Sequence, residues 1–443
     1  MGSERPAMII GTFVNLAYPR IVGYCNASCP KGDQMKPRHA TPKAIYATLV
    51  ALVAAVQAGA AQETPRLWDE STFAHAIERF EQQLAADVET DGIGGITAAV
   101  VSGESVIWAK GFGWADRDLR VPAEANTIYR TGSISKTFTA VLLLQLVDRG
   151  TVELDDPVIQ YLPEFAELQG DPEQVAAITL RQLASHTSGL TREPELENAA
   201  AGPIADWQAK VIASIPHTSL QSKPGGEYSY SNIGFGILGL TLSRAAQQSF
   251  MEMVQELTFQ PLDMTSSTFV IEPPLKDRLS VGYANRRDGS INAEMPALEH
   301  SGRGYKVPNG GVYSTVADLG LFMAGMSGAS QTAILSDESR REMLAIQTPE
   351  DPTRGYGLGL SIRTNDDGRR LYGHGGSVAG YTAYMLFEPE SRLGVVLLRN
   401  YNSGETNLGG AAGELLSELI QAVNENGEGG TGSREPGSAT GPS

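Results

Sequence analysis

Ser133 and Lys136 stand three residues apart in the run Thr131-Gly132-Ser133-Ile134-Ser135-Lys136. A serine hydroxyl is a weak nucleophile until a base takes its proton. A lysine can be that base when burial and neighbouring positive charge lower its pKa. The spacing puts both residues on one face of a helix, one turn apart. Phe138, Val141 to Leu144, Leu146 and Val147 follow and are apolar on most sides, so this helix is expected deep inside a domain. Gly150 is placed to end it. The helix N-terminus would favour negative charge developing on the serine oxygen. The same spacing recurs at Ser28-Cys29-Pro30-Lys31, but Pro30 opposes a continuing helix there.

Two further stretches carry candidate chemistry. Tyr230-Ser231-Asn232 follows a Pro224-Gly225 turn and opens the apolar run Ile233–Leu242, so a Tyr and an Asn at the head of a buried helix can face one cleft. Tyr24-Cys25-Asn26 and Tyr283-Ala284-Asn285 share the spacing without opening such a helix. His374-Gly375-Gly376-Ser377 leads into the β-rich run Tyr381–Phe387. His186, in the loop His186-Thr187-Ser188-Gly189, is expected to hydrogen-bond its own loop instead of acting as a base. Glu193, Glu195 and Glu197 come next and are expected in solvent. Thr315 with Asp318 resembles a helix capping box.

The elements that must position these residues are legible in outline. Phe73, Ile77, Phe80, Leu84 and Val88 fall at helical spacing, and Asp91-Gly92 closes that helix. Ile96–Val101 and Ser105–Trp114, separated by Ser102-Gly103-Glu104, predict a β-hairpin. Residues 150–340 read mainly as helices and loops. Tyr381–Phe387 and Leu393–Arg399 predict strands, and Leu408 to Val423 a last helix. Strands at both ends with helices between imply an α+β fold: an antiparallel sheet built from both ends of the chain, with flanking helices and an inserted, mainly helical lobe over roughly 130–340. The site would lie in a cleft between them.

The expected domain is 62–424. Met35 to Lys43 is basic, Ala44 to Val56 is apolar, and Ala58-Gly59-Ala60 follows, which is the layout of a signal peptide over 35–61, cleaved after Ala60 or Ala61. Residues 1–34 then form an upstream extension, with translation beginning at Met35. The expected location is periplasmic or secreted. The apolar run is short for a span, so no stable membrane span is expected after cleavage. Residues 425–443, rich in Gly, Ser, Glu and Pro, predict a disordered tail.

A formal net charge of −17 argues against a nucleic-acid partner. Both cysteines, Cys25 and Cys29, precede the leader, so the mature chain has no thiol for catalysis, metal or disulfide. The six histidines are scattered, with no His-Glu-x-x-His, and neither a metal nor a cofactor is indicated.

In this fixed order, Ser133-x-x-Lys136, Tyr230-x-Asn232 and His374-Gly375-Gly376 resemble the three motifs of the serine β-lactamase and penicillin-binding protein superfamily. The class C β-lactamase-related branch, with its D-peptidases, family VIII carboxylesterases and acyltransferases, is the most similar. The resemblance spans roughly residues 70–424 and extends to Pro261-Leu262-Asp263-Met264 and Gly310-Gly311. It implies a β-lactamase/transpeptidase-like fold. It implies that Ser133 is the nucleophile, that Lys136 and Tyr230 share the proton traffic, and that Asn232 hydrogen-bonds substrate. It places His374 where most β-lactamases have Lys, on a strand edging the cleft, with Gly375 and Gly376 letting substrate lie close. The oxyanion hole would be the N–H groups of Ser133 and Ser377, such donors typically contributing about 3 kcal/mol each. Histidine pairs with a carboxylate only when protonated, which moves the expectation toward peptidase or esterase activity. No Gly-x-Ser-x-Gly elbow is present.

The expected function is an exported serine hydrolase that cleaves an amide or ester through an acyl-Ser133 intermediate, its substrate a peptide, a β-lactam or a carboxylic ester. A penicillin-binding sensor that acylates without efficient turnover, and an acyltransferase, are alternatives on the same scaffold.

Overall fold

The computed structural model describes residues 68–285, 289–348 and 351–428. The expected upstream extension, the leader and residues 429–443 of the expected tail lie outside the described residues.

Helix α1 (Ala74–Asp91) forms on the predicted stripe, with Ile77, Phe80, Leu84 and Val88 buried. Gly92 ends it in the left-handed region at φ +57 and donates its N–H to the Val88 carbonyl. Strands β1 (Gly95–Ser102) and β2 (Ser105–Asp116) make the predicted hairpin, and β3 (Val121–Pro122) adds to its edge. Helices α2 (Ser135–Asp148), α3 (Asn232–Ala246) and α4 (Val316–Ser327) are the long helices of the middle of the chain. Strands β4 (Arg354–Tyr356), β5 (Ser361–Thr364), β6 (Arg370–Val378), β7 (Tyr381–Glu388) and β8 (Leu393–Arg399) follow, then helix α5 (Leu408–Glu428).

These strands form one sheet in the order β3-β2-β1-β8-β7-β6-β5-β4, every neighbouring pair antiparallel. The two ends of the chain meet where β1 pairs β8, with Ile96 opposite Arg399 and Ser102 opposite Leu393. The fold is therefore α+β, with both ends of the chain in one antiparallel sheet, as the strand runs at both ends implied.

Burial explains why β1 and β8 sit at the centre. Both are buried along their whole length. Successive strand residues face opposite sides, so Ala98, Val100, Val395 and Leu397 pack with the apolar stripes of α1 and α5. Ala99, Val101, Val396 and Leu398 pack on the other side with Phe138 of α2 and Leu319 and Phe322 of α4. A helix apolar all round must be surrounded, and α2 is buried continuously from Ser135 to Leu146. The Phe138 ring stacks on Phe322 at 3.8 Å between centroids. That packing anchors the helix that carries Lys136.

Three local features differ from or refine the sequence reading. Strands β4 and β5 are too short to stand out as alternating runs. Helix α5 continues to Glu428, past the expected end at Val423. Thr315 does open α4, its hydroxyl accepting the Asp318 N–H at 3.2 Å, and the Asp318 carboxylate in turn accepts from Ser266 and Ser267. Among the described residues no helix is long and apolar enough to cross a membrane.

Candidate active site

Gly132-Ser133-Ile134 form a 3-10 turn just ahead of α2 and not its first α-helical turn. Thr131 ties that turn down, with its N–H and its hydroxyl both donating to the Val312 carbonyl at 3.0 and 2.9 Å. Gly132 sits at φ +54, and a Cβ there would lie 2.7 Å from the Ser377 nitrogen. A Cβ on Gly376 would lie 1.9 Å from the Thr131 carbonyl oxygen and 3.1 Å from the Ser133 nitrogen. Both glycines are thus required for β6 to run against the turn, and that close approach makes the Ser133 and Ser377 amides neighbours. Gly376 serves this packing, whereas substrate approach had been its expected use. A side chain on Gly375 would meet the Tyr384 ring at 3.2 Å, away from Ser133. Ser377 itself is exposed and Ser133 is half-buried.

Lys136 is fully buried on α2, and its Nζ lies 3.2 Å from Ser133 Oγ, 2.7 Å from Asn232 Oδ1 and 3.3 Å from the Asn309 carbonyl. Burial first, then the charges of Lys306 and Arg303, hold its pKa well below the ordinary lysine value, against an opposing pull from Glu193. A neutral amine has two N–H bonds and one lone pair. If the amine is neutral, its two carbonyl-type acceptors can use the N–H bonds and leave the lone pair for the Ser133 hydroxyl; as an ammonium it donates to all three.

Tyr230 and Asn232 are delivered by the head of α3, which Ser231 caps through the Gly234 N–H at 3.0 Å. The Tyr230 hydroxyl hydrogen-bonds Ser133, yet burial raises its pKa, so the phenol keeps its proton near neutrality. The Lys136 Nζ lies 4.8 Å from the Tyr230 ring centroid, and the exposed Arg192 guanidinium 4.7 Å from it. Ser133, Lys136, Tyr230 and Asn232 are therefore brought together.

His374 is placed differently from expectation. It was expected to edge the cleft and meet substrate, but it is 4% exposed and both ring nitrogens are occupied. Its Nδ1 lies 2.6 Å from the Gly375 carbonyl, which can only accept, so Nδ1 carries the proton. Nε2 then accepts from the Tyr356 hydroxyl at 2.8 Å. Burial and the nearby Lys136 push its pKa down to about 3. The His374 ring is thus a neutral buttress between β6 and β4. In ¹⁵N NMR its imidazole is expected to stay neutral, with Nδ1 protonated, from pH 8 down to pH 5; a titration centred near the ordinary value of about 6.5 would contradict this geometry.

His186 has a structural role, as expected, but it holds the Tyr230 segment and not its own loop. Its Nδ1 accepts the Ser231 N–H at 3.1 Å and its carbonyl accepts the Ser229 N–H at 2.8 Å, which fixes both sides of Tyr230. Its ring packs against those of Tyr230, Tyr356 and Tyr228. Tyr228 and Tyr356 continue into the wall of a cavity of about 490 Å³, completed by Glu227, Thr348, Arg354 and Ser361 among others; Ser133 is not in its wall. The chemistry is placed by the hydrogen bonds round Lys136, with this larger space beside it.

Glu193 corrects the sequence reading. It was expected in solvent, but its carboxylate accepts from Asn232 Nδ2 at 2.6 Å and from the Tyr305 hydroxyl, and pairs with Lys306 at 3.0 Å. Burial alone would raise its pKa; the Tyr305 and Asn232 hydrogen bonds and Lys306 more than offset that and hold it low. Asn309 and Tyr356 were also missed as partners of site residues. Asn309 abuts the Gly310-Gly311 segment already noted, whereas nothing in the local sequence marks Tyr356.

Known proteins resemble this chain in sequence and in fold. The sequence model of the family described as Beta-lactamase matches residues 77–417. The D-alanyl-D-alanine-carboxypeptidase/endopeptidase AmpH of Escherichia coli (strain K12) is 26% identical over 347 residues, covering 74% of this chain and 85% of AmpH. Protein flp of Staphylococcus aureus (strain N315) is 25% identical over 350 residues, covering 78% of this chain; the chain spans 66% of flp. Among solved structures, the octameric penicillin-binding protein homologue from Pyrococcus abyssi superposes with a TM-score of 0.64 at 26% identity, covering 79% of this chain and 77% of that one. A D-stereospecific amidohydrolase from Streptomyces sp. gives 0.60 at 24% identity, covering 78% and 97%, a likeness of fold.

Proposed function

The chain belongs to the β-lactamase family, and from that premise we propose that it is an exported serine hydrolase that cleaves an amide or ester through an acyl-enzyme on Ser133. The observation that carries the reading is the Lys136 amine, buried without a carboxylate in hydrogen-bond contact and spending its N–H bonds on Asn232 and Asn309. Its lone pair takes the Ser133 proton as Oγ bonds to the substrate carbonyl carbon. The N–H groups of Ser133 and Ser377 receive the oxyanion. The proton passes by way of the Tyr230 hydroxyl to the leaving nitrogen or oxygen as its bond to carbon breaks. Water then attacks the ester, and the same groups return Ser133 to its starting state.

The hydrolase domain begins near 62 and runs to the end of α5 at Glu428, past the expected 424, and the leader at 35–61 directs it to the periplasm or the exterior. The exposed Arg192 guanidinium on Tyr230 offers a positive charge beside the nucleophile. His374 is neutral and buried and supplies no such charge, so it is the Arg192 charge that favours substrates with a carboxylate near the scissile bond, a peptide or a β-lactam, over neutral esters. The name of AmpH, a D-alanyl-D-alanine carboxypeptidase, points the same way.

Intact-mass spectrometry over time, with a fluorescent penicillin and separately with p-nitrophenyl acetate, tests the reading. An adduct on Ser133 that forms and decays with product release is expected, with the penicillin acylating faster. A persistent adduct would favour a sensor. No adduct from either probe on folded protein would remove the acyl-serine reading.

A further inference from the structure

Asn232 has a side-chain amide whose two ends demand opposite partners. Its Oδ1 lies 2.7 Å from Lys136 Nζ and its Nδ2 lies 2.6 Å from Glu193 Oε1. Rotated by half a turn, the amide would aim N–H bonds at Lys136 and a carbonyl oxygen at a carboxylate, losing both hydrogen bonds. Glu193 therefore decides which end faces the amine. It is itself held by Tyr305 and Lys306, residues of the segment just before Asn309, whose carbonyl is the other acceptor of Lys136. The remaining charged or titratable groups facing Lys136 are Lys306, Arg303 and Arg192, with His186, His374 and Tyr230 around them. Among these Glu193 is the opposing negative charge.

Resting on the acyl-Ser133 reading above, we propose that Glu193 is a positioning residue for the Ser133–Lys136 pair: it orients the Asn232 amide and balances the cations that crowd the lysine amine. Its role is distinct from water activation. The glutamine variant keeps an acceptor for Asn232 and removes the charge, while the alanine variant removes both. Without the charge, the ammonium form of Lys136 loses its one stabilising neighbour in that group, so its pKa falls further.

The test is the pH profile of kcat/KM with p-nitrophenyl acetate for the parent, Glu193→Gln and Glu193→Ala, with thermal unfolding as a control of fold. Glu193→Gln is expected to move the acidic limb down by roughly half to one pH unit and to lower kcat less than Glu193→Ala does. Glu193→Ala is expected to move the limb likewise and lower kcat about tenfold. Folded Glu193→Ala with the parent's limb and kcat would overturn the inference, as would acyl-enzyme building up in Glu193→Gln at its optimum, which would assign Glu193 to water. A parent with no Ser133-dependent turnover would defeat the acyl-serine reading instead. In that case hydrogen exchange at the Asn232 side-chain amide still decides the positioning: slow in the parent and fast in Glu193→Ala supports it, and equal rates overturn it.

Discussion

Replacing Ser133 with alanine is expected to lower kcat/KM by about 10⁴-fold or more and to abolish the covalent adduct, while leaving the fold intact. The size follows from what remains. Without Oγ no acyl-enzyme can form, and water would have to attack the substrate directly with only the oxyanion donors and binding to help. The fold should not suffer, because Ser133 is half-buried and, among the described residues, its hydroxyl hydrogen-bonds Lys136 and Tyr230. The turn is held by other atoms: the two Thr131 hydrogen bonds to Val312, and the Ser135 hydroxyl that accepts the Val312 N–H at 3.1 Å. Steady-state kinetics together with intact mass check this. Turnover in Ser133→Ala within tenfold of the parent would place the chemistry elsewhere.

How much of this was legible beforehand depended on the range over which each residue finds its partners. The β1–β2 hairpin, the stripe of α1 and the apolar all-round α2 are local patterns, and each appeared where the spacing predicted. The joining of both ends in one sheet was legible because strand runs lie at both ends of the chain with helices between them. The site was legible as a set of side chains and not as a network. Glu193 reads as a solvated loop acid because its partners lie 39 residues away at Asn232 and 112 away at Tyr305. His374 reads as a cleft residue because the resemblance places it where most β-lactamases have Lys, but its surroundings are completed by Tyr356, on a three-residue strand with no periodicity to read. Gly376 reads as open space for substrate. The turn that fills that space comes from the other side of the molecule, at Thr131.

Replacing Lys136 with methionine is expected to cost about 10²- to 10⁴-fold in kcat/KM, the range of a positioned general base, and also to change how stability depends on pH. The two effects share one cause. In the unfolded chain this amine is protonated below its ordinary pKa of 10.5, whereas in the folded protein burial holds its pKa well below that. Between the two values the unfolded state binds one more proton than the folded state, so the parent's stability falls as pH falls. Below the folded value both states are protonated and the penalty stays constant. Methionine carries no proton and has no such slope. Urea unfolding across pH 10 to 7 is therefore expected to show the stability of Lys136→Met rising relative to the parent as pH is lowered, in a protein that has lost its activity. Parallel stability curves would mean that the buried lysine is charged in the folded state and has no lone pair to act as a base. A variant that kept activity within tenfold would remove Lys136 from the proton path altogether. A group that opposes folding at the pH where it is needed as a base is what a site selected for reactivity would retain, and a packed core alone would not require it.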